Sequence, residues 1–68
     1  MLKYVLITAH GYPEGICQAR ILDETETHLR VLYFDRYTDP IRGWDISKAR
    51  DHWIEKYSKR IHGEVFER

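Results

Sequence analysis

"SKARDHWIEKYSKRIH" (Ser47–His62) carries the most regular apolar spacing in the chain. Ala49, Trp53, Tyr57 and Ile61 recur every four residues with Ile54 beside them, which is the spacing of one helical face. Ser47 stands where an N-cap is wanted and Gly63 where a left-handed C-cap is wanted. Lys48, Asp51, His52, Glu55, Lys56, Lys59 and Arg60 fill the opposite face, and Glu55 and Lys59 make a favourable i,i+4 pair. The spacing predicts an amphipathic helix over 47–62, with Trp53 packing it onto whatever precedes it.

What precedes it reads as sheet. Residues 2–9, 16–23 and 27–35 are rich in β-branched and aromatic residues, and "HGYPEG" and "ETET" supply the polar and Gly/Pro punctuation between them. A short fourth strand is expected near Arg42 to Ile46, and "EVFER" at the end adds a strand or frays. Leu2, Tyr4 and Leu6 on one side of the first strand and Val5, Ile7 and Ala9 on the other are all apolar, so both faces are expected to be covered, by curling, by a helix, or by a second copy of the chain. The expected class is α+β, mostly β: a small antiparallel sheet of three to four strands followed by a C-terminal amphipathic helix, in one domain over residues 1–68.

Size and charge narrow the function. At 68 residues a domain buries roughly 60% of its unfolded surface, so a deep active site would be costly. Eleven basic and eleven acidic residues cancel, leaving no global field to draw in nucleic acid or anionic lipid. The second half, from Arg36, is mildly basic, with eight bases against six acids. Cys17 is the only cysteine, which precludes an intrachain disulfide and fits a reducing, cytoplasmic setting. It reads as a small buried hydrophobe. "LKYVLITA" is too short to span a bilayer. No phosphate loop or nucleophile elbow is present, and the four histidines lack ligand spacing, so no enzyme activity, metal or cofactor is expected.

The densest feature is "LYFDRYTDPIRGW", Leu32–Trp44, with four aromatics, two Asp and two Arg around one Pro and one Gly. Leu32 or Tyr33 and Trp44 are expected to root in the core, leaving Tyr37, Asp39 and Arg42 on an exposed rim that Tyr12 joins across the first turn. Aromatic faces beside a carboxylate suit a cationic or methylated ammonium group.

"GICQARIL", "LRVLYFDRY" and "GWDI" together resemble the Tudor and chromo-barrel group of SH3-like barrels over residues 15–46. That resemblance implies an aromatic cage built from Tyr12, Tyr33, Tyr37 and Trp44 with Asp39 as its carboxylate. A second pattern, three strands and a helix ending in "HGE", resembles the AP2 DNA-binding domain, whose helix buttresses the sheet from behind. The reading that follows is a small non-enzymatic interaction module that binds a protein segment or regulates a larger protein through its aromatic loop surface, at Tyr12, Tyr33, Tyr37, Asp39, Arg42 and Trp44. The alternative is a nucleic-acid-binding domain of the sheet-and-helix kind. A protein partner comes first, nucleic acid and self-association are the alternatives, and a membrane is not among the partners.

Overall fold

The computed structural model describes all 68 residues, and it contains no helix. Five strands follow one another: β1 (Lys3–Thr8), β2 (Ile16–Glu24), β3 (His28–Thr38), β4 (Asp45–Glu55) and β5 (Ile61–Glu67). They form one antiparallel sheet in the order β4-β3-β2-β1-β5, a meander whose last strand returns to the free edge of the first.

The α+β class is therefore corrected to all-β. Residues 47–62 supply most of β4, a turn over 56–60 and the start of β5. β4 pairs with β3 without interruption from His28↔Glu55 to Thr38↔Asp45, and that ladder satisfies the backbone groups a helix would have paired internally. The row Ala49, Trp53, Tyr57, Ile61 never shares a face. Ala49 and Trp53 point outward, Tyr57 is exposed in the turn, and Ile61 packs inward from β5. Gly63 does have positive φ, but inside a strand, where Gly63–Val65 bulge opposite Val5 between the pairs Tyr4↔Phe66 and Leu6↔His62.

The inward residues of the strands form the core: Val5, Ile7, Ala9, Cys17, Ala19, Leu29, Val31, Tyr33 and Ile54, with Tyr12, Ile21 and Ile61 against them. In a flat sheet the outer strands β4 and β5 would lie ~19 Å apart, four strand spacings. Ile54 of β4 and Ile61 of β5 nevertheless join the cluster of Val5 and Ile7, so the sheet is curled upon its inner face. Small Cys17 and Ala19 on β2, and the bulge at Leu22, where the register slips against Val31 and Arg30, allow that curvature. The expectation that both faces are covered holds for one only. Leu6, Leu22 and Phe34 on the outer side are exposed.

Trp53 is 45% exposed, across from Arg30, which forms a two-point ion pair with Asp51. It does not anchor a docked element. Trp53→Ala is expected to cost about 1 kcal/mol, the value of a cross-strand surface pair, and to lower the melting temperature by only a few degrees. A loss of ~3–5 kcal/mol, the range for a fully buried Trp, would contradict this placement.

Candidate interaction surface

β3 and β4 outrun the rest of the sheet. The last β2–β3 pair is Arg20↔Leu32, whereas the β3–β4 ladder continues to Thr38↔Asp45. Beyond Leu32 the other edge of β3 meets only the first turn, where Arg36 N–H donates to His10 O (2.8 Å) and Tyr12 Oη donates to Phe34 O (2.7 Å). From Tyr37 onward the chain is a two-stranded ribbon, and the molecule is 43 Å long against 21 and 19 Å across.

The ribbon tip is ordered by its own sequence. Asp39 Oδ1 accepts the N–H groups of Ile41 (2.9 Å) and Arg42 (3.2 Å), and Gly43 N–H donates to Asp39 O (2.8 Å). Asp39 N–H donates to Trp44 O (2.8 Å), closing a four-residue loop in which Pro40 restricts φ and Gly43 takes φ +76°. Around this frame stand exposed apolar side chains, with Ile41 92% and Trp44 56% exposed and Ile46 close behind. The Arg42 guanidinium lies 5.4 Å from the centre of the Trp44 ring.

At the ribbon's base the inner face turns polar. Asp35 is buried, and its carboxylate accepts from His10 N–H (2.9 Å), Arg50 Nε (2.7 Å) and Tyr37 Oη (3.4 Å). The His10 backbone N–H and then the Arg50 guanidinium hold the carboxyl below the usual range, against the opposing effect of burial. Tyr37 Oη also accepts from Arg50 Nη2 (3.1 Å), and its ring stacks on His10 at 4.5 Å.

Next to this group Arg60, from the turn before β5, donates through Nη2 to Tyr33 Oη (2.6 Å) and Thr8 O (3.1 Å), and its Nη1 lies 3.3 Å from His52 Nε2. Arginine can only donate, so Nε2 is the accepting nitrogen and His52 is neutral. Burial, and then Arg60 and Arg50, depress its pKa accordingly. No buried side-chain polar atom is left without a partner.

Of the residues named from the sequence, Asp39, Arg42 and Trp44 come together at the tip, and Tyr12, Tyr33 and Tyr37 stand apart from them. Tyr33 is in the core with its hydroxyl engaged by Arg60. Trp44, expected in the core, is exposed at the tip, while Tyr37, expected on an open rim, is half-buried and locked to Asp35, Arg50 and His10. Tyr12 is half-buried on the other side of β3, bonded to Phe34 O with the Arg36 guanidinium 5.3 Å from its ring. Asp39 caps the tip turn, with Arg42 and Trp44 beside it.

Four participants were missed: Asp35, Arg50, His52 and Arg60. The last three lie in the segment that reads as helix, where His52 and Arg60 fall on its polar side. Cys17 is buried, and burial pushes its thiol up, away from the thiolate. No helix is long and apolar enough to cross a membrane. Compared with known proteins, the chain matches no family model, no curated protein and no solved structure.

Proposed function

We propose that this chain is a protein-binding module whose β3–β4 ribbon inserts its tip into an apolar groove of a larger protein. The observation that carries this is the exposure of Ile41, Trp44 and Ile46 on a ribbon that no third strand covers. Two-stranded ribbons are marginal in water by themselves, and clustered exposed apolar side chains mark interaction sites. Asp39, Pro40 and Gly43 fix the tip before any partner arrives, which lowers the ordering cost of binding. Trp44, flanked by Arg42, combines the two residue types most enriched among interface hot spots.

The proposal rests on the small all-β sheet alone and draws nothing from the resemblance to SH3-like barrels. The Tudor-type cage does not enter the proposal, because Tyr33 is buried, Tyr37 is locked to Asp35, Arg50 and His10, and Tyr12 is held by Phe34 O. The AP2-like arrangement lacks its buttressing helix.

The test is recovery of partners from the native host with wild-type chain and with the Ile41→Ala/Trp44→Ala variant. The variant is expected to melt within a few degrees of wild type and to bind its partner at least ~10-fold more weakly. Unchanged recovery would overturn the proposal. Recovery abolished by nuclease, with affinity falling steeply as salt rises, would transfer the role to nucleic acid.

A further inference from the structure

The chain makes three ion pairs, Arg30–Asp51, Arg50–Asp35 and Lys56–Glu24, and Arg60 is in none of them. It is half-buried, and every group that holds it is neutral: the Thr8 carbonyl, the Tyr33 hydroxyl and the His52 ring. The Tyr33 ring lies 5.7 Å from the guanidinium carbon. These contacts fix the guanidinium from three directions without neutralising it. Of its five N–H donors three are engaged, leaving Nε–H and one Nη1–H.

Arg60 lines a recess of about 370 Å³ together with Thr8, Ala9, His10, Gly15 and Asp35. The only carboxylate there, Asp35, already accepts from His10 N–H, Arg50 and Tyr37. Asp35 and Arg50 cancel each other, so Arg60 supplies one uncompensated positive charge, and a partly desolvated cation of this kind is strongly favoured by a counter-ion. Asp35, a few atoms from the same space, disfavours a multiply charged anion such as sulfate or phosphate.

We propose that this recess is a binding site for a single carboxylate group, received by the charge and the free Nε–H of Arg60. The group comes either from a small free organic acid or from an acidic side chain of a protein segment.

The experiment is NMR titration of the wild-type chain at constant ionic strength with acetate, with sulfate, and with the capped peptide Ala-Ala-Glu-Ala-Ala or its Gln counterpart. Saturable shifts are expected at the Arg60 Nε–H and the His52 ring with acetate and the Glu peptide, and not with sulfate or the Gln peptide. A Glu peptide binding at least ~10-fold more tightly than acetate would assign the carboxylate to a protein segment, and equal or weaker binding would assign it to a free acid. Arg60→Lys keeps the charge but not the three-way anchoring, and is expected to weaken acetate binding by at least ~10-fold. Should sulfate bind more tightly than acetate, or should the shifts fall on Arg36, Arg42 and Lys48 or on no residue, the proposal is overturned. The wild-type titration decides this even if the variant does not fold.

Discussion

Gly11→Ala is expected to unfold a large part of the population at 37 °C. Gly11 has φ +86°, and a Cβ built on it would lie 2.1 Å from Arg36 O and 2.6 Å from Arg36 Cβ. Both contacts are below any tolerable approach, and the obstacles belong to β3 rather than to the free end of a flexible side chain. Room could be made only by moving the first turn off the strand, which would break the Arg36 N–H to His10 O and Tyr12 Oη to Phe34 O hydrogen bonds. Backbone strain of ~1–3 kcal/mol and overpacking of ~1–3 kcal/mol together give about 3–5 kcal/mol. A domain of this size has in total only ~3–10 kcal/mol at 0.05–0.15 kcal/mol per residue. The melting temperature should fall by ~15 °C or more. Gly15→Ala and Gly43→Ala serve as controls, since both positions have positive φ but open space around them. They should lose only about 1–2 kcal/mol. Equal effects at all three glycines would show that the contact with Arg36 is unimportant.

Asp35→Ala should be the next most damaging change. It removes the acceptor for His10 N–H, for Arg50 and for Tyr37, and with it the joint between the first turn, β3 and β4. Leaving those donors unpaired in a half-buried network should cost about 2 kcal/mol, near 10 °C in melting temperature. The pH dependence gives a second check. The folded-state pKa of Asp35 is depressed below the unfolded value of about 3.9, so its contribution is complete above that value and disappears as pH falls through the folded one. The gap in melting temperature between wild type and variant should be full at pH 7 and narrow towards pH 3. A gap that does not change over that range would show that the loss came from packing and not from the carboxylate.

Three strands were legible because their inward residues are apolar and turn residues separate them; β1, β2 and β3 begin and end within one to three residues of the expected bounds. β4 was not legible, for a physical reason. Its inward positions are Ile46, Lys48, Arg50, His52 and Ile54, so alternation exists but the three middle members, Lys48, Arg50 and His52, are polar. Those side chains face the polar network around Asp35 and Tyr33 rather than the apolar core, and a polar inner face cannot announce itself as a strand. With Ala49 and Trp53 outward, the remaining apolar residues fell at four-residue spacing by coincidence. Arg60, which lines the carboxylate recess, lies in the same stretch, so one misreading hid both the strand and the site. Leu32–Trp44 was recognised as unusual, yet which rings are buried depended on how far the ribbon extends past β2, and pairing between distant strands has no local sequence signal.

The return of β5 to β1 has a kinetic consequence. Neighbouring strands of the meander close short loops, such as the β2–β3 turn in which Thr25 caps His28 three residues away. The β1–β5 ladder instead joins groups such as Thr8 and His62, 54 residues apart. Closing that loop costs about 2 kcal/mol more chain entropy than closing a hairpin, and nothing offsets it until the intervening strands have shortened the effective path. The order of events follows from the topology: the β2–β3–β4 hairpins assemble first, and β5 seals the curled sheet last.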